Sequence, residues 1–404
     1  MSHTGTLILI MAVAVLAPLL AYGVARWLPV PLVIFEILLG ILVGPDVLGW
    51  AGSGEVIDVL SELGLAMLIF LAGYEIKFAE VRGDTLRRSV WAWLAALALG
   101  LVLGTLLARG GGFDQGVYIG TALTSTALGT VLPVLRDAGD LGSRFGTVMM
   151  AVGSVGEFGP IIAMALLLSG RAPARSAALL AAFAVLTGLA VFWALRPKPP
   201  WFSEVIAKTL HSSAQFAVRL VVLMLVAMLG LAQALGLDVL LGAFAAGLIT
   251  RLVLTGAAPE SSDAVLAKVE AIGFGFLVPL FFVVTGIEFD LAALLAGGRT
   301  LLMLPVFLLL FLCVRGLPIW LLAPRDLVGP DRTALVLFGS TALPLVVAIT
   351  TLGVEDGQVQ PGEAAALVGA AMVSVLVFPL LALRLRARAG AGRPRAARPG
   401  AEPW

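Results

Sequence analysis

The sequence predicts an all-α polytopic membrane protein of about thirteen transmembrane helices, arranged as two inverted repeats. Three observations carry that reading. The 404 residues are 60% hydrophobic and only 13% charged, with a mean hydropathy of +1.06, far outside the balance of a chain that folds in water. Apolar stretches recur along the whole length, each near the roughly 20 residues a helix needs to cross hydrocarbon, a pattern of helices and not of alternating barrel strands. Short strings recur between the two halves at nearly constant offset.

Charges, glycines and prolines mark the segment ends. Helix 1 lies near residues 6–25 and lacks a basic n-region and a small-x-small cleavage site, so it reads as a span and not as a signal peptide. Helices 2, 3 and 4 lie near 31–49, 57–75 and 89–108. Helix 5, near 116–135, carries a cluster of hydroxyl side chains, Thr124, Ser125 and Thr126, followed by Gly129 and Pro133. Helix 6, near 145–169, is apolar or small except for Ser154 and Glu157 at its centre. Helix 7 lies near 175–195, and the polar segment Arg196–Ser213 after it splits the chain almost at its midpoint. Helices 8, 9 and 10 follow near 214–235, 238–254 and 270–288, then helix 11 near 301–323 with Arg315 inside its apolar run. Helix 12, near 333–352, holds Ser340, Thr341 and Pro344, and helix 13 lies near 363–383. The tail from 386 to 404, rich in Arg, Gly, Ala and Pro, cannot bury a core and is expected to be disordered and cytoplasmic.

Lys and Arg fix the expected orientation. With the C-terminus inside and the N-terminus outside, only Arg109, Arg171, Arg175 and Arg299 fall on the outer side, as the positive-inside rule requires. A single cysteine, Cys313, excludes an internal disulfide and a Cys-based zinc site. Two histidines, His3 and His211, make a multi-histidine metal site improbable. His211 precedes helix 8 on the expected cytoplasmic side, where a histidine can sense pH, but no role is assigned to it.

The repeats are read from three echoes. "TSTALGTVLP" at 124–133 matches "GSTALPLVVA" at 339–348, "FLAGYEI" at 70–76 matches "VVTGIEF" at 283–289 with Gly73 on Gly286 and Glu75 on Glu288, and "EILLGILVGP" at 36–45 matches "VLLGAFAAGL" at 239–248 more loosely. Helix 5 then corresponds to helix 12 and helix 3 to helix 10. A shift of seven helices turns the second copy upside down, the architecture that places a substrate site near midplane between repeats. Helices 5 and 12 are expected to be discontinuous, because Gly and Pro weaken them and free backbone groups at membrane depth are tolerated where they line a cavity.

Glu157 lies where a charge costs on the order of 2.5 to 3.5 kcal/mol on insertion scales. Arg315 is the other charge well inside hydrocarbon and cannot give up its proton, which leaves Glu157 as the one midplane group able to exchange H+ for another cation. A structural ion pair between the two, bracing two helices, is the alternative. Gly153, Gly156 and Gly159 leave one face of helix 6 nearly bare, explained either by close helix approach or by room for an ion. Ser154, one turn before Glu157, offers an oxygen. Glu36 and Glu62 lie nearer helix ends, and Asp46, Glu75 and Glu288 at helix ends.

These residues resemble the monovalent cation:proton antiporter superfamily, in particular its bacterial sodium/proton exchanger and potassium-efflux branch, over roughly residues 6–385. "VPLVIFEILLGILVGPDVLGW" resembles the family's second-helix pattern, "ELGLAMLIFLAGYEI" its third, and "VPLFFVVTGIEFDL" the matching helix of the second repeat. The resemblance implies a transmembrane domain over 1–385. Core helices lie over about 89–169 and 301–383, a dimer scaffold over about 6–75 and 214–288, and a linker helix over about 175–195. It implies that helices 5 and 12 cross, with Thr124, Gly129, Ser340, Thr341 and Pro344 at the crossing. It puts Glu157 at the family's carboxylate position as the residue that binds H+ or the transported Na+ or K+, Ser125 and Thr126 at the unwound-helix hydroxyls, and Arg315 at the family's basic position. Glu replaces the usual Asp, and Gly156 precedes it where the family commonly has Asp or Asn.

One carboxylate beside a permanent cation holds one proton or one monovalent ion, so exchange is expected to be one for one and electroneutral. The expected activity is therefore secondary exchange of Na+, or of K+ or Li+, for H+ by an elevator-type motion, in a homodimer in the bacterial inner membrane, without enzymatic chemistry, cofactor or nucleic-acid partner. The nucleotide-sensing C-terminal domain of the potassium-efflux subgroup and its Gln before Asp are absent from the sequence, so those ligands are not expected. Two alternatives are an organic-solute symporter of related fold, which needs a larger cavity, and a non-transporting membrane sensor in which Glu157 and Arg315 form a locked pair.

Overall fold

In the computed structural model, residues 3–390 are described except for 26–29, 53, 76–82, 109–111, 169–172, 197–199, 211, 258, 296–297 and 328. His211 and residues 391–404 of the tail therefore lie outside the described residues. The described chain is helical with no strand. The first half holds α1 His3–Ala25, α2 Leu32–Val43, α3 Glu55–Glu75, α4 Asp84–Leu107, α5 Gly112–Ala122, α6 Leu128–Asp137, α7 Arg144–Leu167 and α8 Pro173–Leu195. After α9 Pro200–Thr209 come α10 Phe216–Ala234, α11 Val239–Ala257, α12 Pro259–Ile272, a π-helical turn Gly273–Leu277 and α13 Val278–Ile287. The chain closes with α14 Leu291–Leu295, α15 Gly298–Leu310, a π-helical stretch Phe311–Gly316, α16 Leu317–Leu322, α17 Pro330–Gly339, α18 Pro344–Glu355 and α19 Pro361–Gly390.

Among the described residues, 11 helices are long and apolar enough to cross a membrane. The other two predicted spans are not among them: α2 has 12 residues, and helix 5 is split into α5 and α6. Three boundaries differ from expectation. The segment Arg196–Ser213 is not a plain linker but contains α9, closed by an i,i+4 pair between Lys208 and Glu204 at 3.0 Å. Helix 10 begins at Pro259, because the charged stretch "PESSDAVLAKVEAI" buries Ser262, Val265 and Val269 on one face. α19 runs through 386–390, five residues into what reads as a disordered tail.

The helices pack as two groups. α1–α3 pack with α10–α13 in a flanking bundle, and α4–α7 with α15–α19 in a central bundle, while α8 leans on both α7 and α11. In the flanking bundle four glycines set the spacing: a Cβ on Gly40 would strike the carbonyl oxygen of Val283, on Gly247 that of Phe70, on Gly286 that of Ile37, and on Gly73 that of Phe244. Small residues let backbones meet in this way where lipid supplies no hydrophobic drive for helix association. The contacts come in reciprocal pairs, so Gly40 is equivalent to Gly247 and Ile37 to Phe244. This corrects the sequence register between helices 2 and 9: the string match pairs Gly40 with Ala243, one helical turn away from the packed solution.

Polar clamps fasten both ends of the central bundle. At one end Arg386 of α19 pairs with Asp140 and, at 3.1 Å, with Asp331, its guanidinium lying 3.8 Å from the centroid of the Phe145 ring. Arg144 bonds Asp326 at 2.8 Å beside it. At the other end Gln115 of α5 bonds Glu363 and Tyr118 bonds Asp356. Elements of both repeats are thereby tied at each end.

Candidate ion site at the broken helices

α5 stops at Ala122 and α6 starts at Leu128, and the unwound residues between them must place their backbone donors elsewhere. Thr126 N–H goes to Gly156 O at 2.9 Å and Ala127 N–H to Thr341 O at 2.7 Å. The first of these bonds depends on Pro160. Having no N–H, Pro160 leaves the carbonyl four residues earlier, that of Gly156, without its helical partner, and the unwound strand supplies the missing donor. Pro133 lies inside α6, past the break.

The hydroxyls divide by behaviour. Thr124 Oγ1 and Ser125 Oγ donate back to Thr121 O and Ala122 O, at 2.7 and 2.8 Å, the ordinary local habit of Ser and Thr in helices. Thr126 Oγ1 instead donates across to Gly339 O at 2.6 Å, joining the first break to the end of α17. Thr341 Oγ1 donates back to Leu337 O at 3.1 Å. The second break, between Gly339 and Pro344, is also held by α19: Ser374 Oγ accepts Ala342 N–H and lies 3.1 Å from Ala342 O. Gly129 and Pro344 take the first turns of α6 and α18, just past the two breaks.

Arg315 sits in the π-helical stretch Phe311–Gly316, an irregularity that often accompanies a functional position. It is fully buried. Its Nε donates to Thr126 Oγ1 and its Nη2 to Val152 O, both at 2.8 Å. It forms no ion pair with Glu157, and on α7 it bonds the carbonyl of Val152 instead. The alternative of a structural ion pair between the two charges is not formed: a guanidinium fork aimed at a freed loop hydroxyl and a helix carbonyl has already used two of its three nitrogens.

Glu157 is 2% exposed, and its Oε2 has no hydrogen-bond partner, as is also true of Ser154 Oγ, Ser340 Oγ and Arg315 Nη1. Ser154 is three residues before Glu157 and shares its face. The three glycines of α7 serve close approach. A Cβ on Gly153 would meet Leu128, on Gly156 the Arg315 guanidinium and Thr126, and on Gly159 the Trp93 ring. The next aromatic along, Phe158, stacks on Phe244 of the flanking bundle with centroids 4.5 Å apart.

Among the described residues no three His, Cys, Asp or Glu side chains come together as a metal cage. One lone carboxylate matches a monovalent cation or a proton in charge, not a divalent ion that takes several hard anionic ligands. Two residues escaped the sequence reading. Ser374 stands in an apolar helix with nothing to mark it, and Glu36, read as near a helix end, is 3% exposed and lines a large cavity between the bundles. Glu75 meets Arg136 of α6 at 3.8 Å across the bundle boundary.

Residues 11–383 match the family described as sodium/hydrogen exchanger, transmembrane. The chain is 26% identical over 411 residues to the putative Na(+)/H(+) antiporter YjbQ of Bacillus subtilis, covering 96% of this chain and 64% of that protein. It is 27% identical over 289 residues to the Na(+)/H(+)-K(+) antiporter GerN of Bacillus cereus, covering 69% and 71%. Its fold is similar to that of the sodium proton antiporter MjNhaP1 of Methanocaldococcus jannaschii at pH 8, with a TM-score of 0.66 at 16% identity over 93% of this chain and 97% of that one.

Proposed function

The chain belongs to the sodium/hydrogen exchanger family, and on that premise we propose that it exchanges a monovalent cation for H+ at Glu157. The observation that carries the proposal is the division of labour at the breaks. Arg315 is committed to Thr126 and Val152, while a Glu157 oxygen is buried and unpartnered. A fixed cation held beside the backbone of Gly156, the residue before an uncommitted carboxylate, leaves that carboxylate unfilled.

The charge balance follows. Empty, Glu157 and Arg315 sum to zero, and with either one proton or one Na+ on Glu157 the site carries one positive charge. The two loaded carriers are electrically alike, so one-for-one exchange moves no net charge. Na+ is the first candidate and K+ or Li+ the others, with the unpartnered Ser154 hydroxyl one turn before Glu157 and the break residues Ser125 and Thr126 proposed as its neutral oxygens.

In this reading the central bundle carries Glu157 between faces in an elevator-type motion, and the flanking bundle is the scaffold and homodimer surface. The glycine-set backbone contacts within the flanking bundle support its rigidity, and the clamps at both ends of the central bundle support motion as a unit. The N-terminus lies outside and the C-terminus in the cytoplasm of a bacterial inner membrane. A membrane sensor with a locked Glu157–Arg315 pair gains no support, since the two do not pair.

The test is collapse of a preset pH gradient in proteoliposomes on addition of Na+, K+ or Li+. A response to at least one cation that disappears in Glu157→Gln is expected. Silence toward all three across the neutral pH range would sink the proposal.

A further inference from the structure

α4 and α15 diverge toward one face of the membrane. α4 packs against the π-helical stretch Phe311–Gly316 and α16, close enough that a Cβ on Gly100 would meet the Val314 side chain, while α15 packs against α19. The wedge between them is a groove of about 490 Å³, lined by Leu103 and Leu107 of α4 and by Leu302, Val306 and Leu310 of α15. Arg299, in the first turn of α15, is its one charged side chain. Both walls belong to the central bundle, and no residue of the two breaks, nor Glu157 or Arg315, lines it.

Arg299 is exposed and forms no hydrogen bond or ion pair with any described residue. It therefore fastens nothing in the fold, unlike Arg144 and Arg386. Lys and Arg are scarce on its face of the protein, so a topology signal does not explain it either. Leu106 and Leu302 of the two walls are 64% and 68% exposed, so the groove opens sideways to whatever surrounds the helices. From Arg299 to Leu310 α15 rises about 16 Å at 1.5 Å per residue, half of the roughly 30 Å hydrocarbon core. The cation stands at headgroup level, and the apolar groove runs inward for one leaflet.

Length and charge together decide the occupant. An acyl chain fits an apolar groove one leaflet long, and a guanidinium binds phosphate through two parallel hydrogen bonds. A choline or ethanolamine headgroup brings its own cation to compete for that phosphate, whereas a glycerol headgroup leaves it to Arg299. We propose that the groove between α4 and α15 is a binding site for an anionic glycerophospholipid of the phosphatidylglycerol type, its phosphate on Arg299 and one acyl chain along the leucines. The inner end of that chain abuts Leu310, the residue before the π-helical stretch, and steadies the helix there. The inference is independent of transport at Glu157.

The test titrates the full chain in detergent with phosphatidylglycerol, or with phosphatidylcholine of identical acyl chains, and counts retained lipid by native mass spectrometry. One phosphatidylglycerol is expected to bind about tenfold or more tightly than phosphatidylcholine. Arg299→Gln weakens it by about tenfold or more, as loss of a charge-assisted hydrogen bond predicts. Arg299→Lys recovers part of the affinity, and Val306→Trp fills the groove and loses it. Arg175→Gln, at another exposed arginine, binds as the wild type does. Melting curves establish that each variant is folded, and phosphatidylglycerol raises the melting temperature of wild type but not of Arg299→Gln. Equal affinity of wild type for the two lipids, or unchanged phosphatidylglycerol binding in Arg299→Gln, would overturn the proposal.

Discussion

Arg315 and Thr126, 189 residues apart, meet through a hydrogen bond of 2.8 Å from Nε to Oγ1. The same hydroxyl donates to Gly339 O at 2.6 Å, so one threonine ties the basic residue of one repeat to both unwound segments. Thr126→Val keeps the shape and removes both bonds, leaving a buried guanidinium donor and a carbonyl unsatisfied at about 1 to 3 kcal/mol each. A lower melting temperature and slower exchange are expected, with Thr126→Ser restoring most of both. Equal stability of wild type and Thr126→Val in detergent would show that the bond is unimportant.

Glu157→Gln should behave in the opposite way on stability. A buried carboxylate with an unpartnered oxygen is costly to keep, and an amide of the same shape is cheaper. The variant is expected to melt about 2 °C or more above wild type while losing exchange. A large drop in melting temperature would instead indicate a structural ion pair.

Gly156→Ala places a methyl group where the Arg315 guanidinium and Thr126 lie, and neither can retreat without breaking a bond. Gly153→Ala meets only the end of the flexible Leu128 side chain. The first substitution is expected to abolish exchange and destabilise by about 2 kcal/mol or more, in the range of overpacking, and the second to do neither fully. Reversal of that order would place the arginine elsewhere.

At the central bundle's end, the hydrogen bond from the Arg144 guanidinium holds the Asp326 carboxyl below the ordinary carboxylate range. A lowered carboxyl contributes stability above its unfolded value that disappears as pH falls through the folded one. Both side chains are about half exposed, so the contribution is under about 1 kcal/mol. Asp326→Asn should therefore melt slightly below wild type at neutral pH and coincide with it at strongly acid pH. A gap that widens on acidification would refute the assignment.

Much of this was legible in the sequence, for physical reasons. Hydrocarbon demands long apolar runs, so the spans could be read. A carboxylate in such a run is expensive enough to be conspicuous, so Glu157 could be found, and Gly and Pro beside repeated hydroxyls located the breaks. The partner of Arg315 could not be read, because a long side chain can reach several carbonyls and hydroxyls, and the freeing of Gly156 O by Pro160 matters only once the broken helix lies alongside. The register of helices 2 and 9 slipped by a turn because small residues recur about every four positions in both. The early start of helix 10 was hidden by charges on its exposed face, and the π-helical stretches carry no composition of their own. Ser374 is one serine among many until Ala342 is placed opposite it.

The central claim is that one carboxylate takes one proton or one cation while Arg315 stays a fixed charge, and charge movement tests it most directly. Cation-driven collapse of a pH gradient would be timed in proteoliposomes with the membrane voltage clamped by valinomycin and K+ at zero and at inside-negative values, with Na+ or Li+ as the driving ion. The account predicts the same rate at every voltage in wild type, and none in Glu157→Gln. A rate that changes steadily with voltage would contradict it, since a second titrating group would then be moving net charge with each cycle.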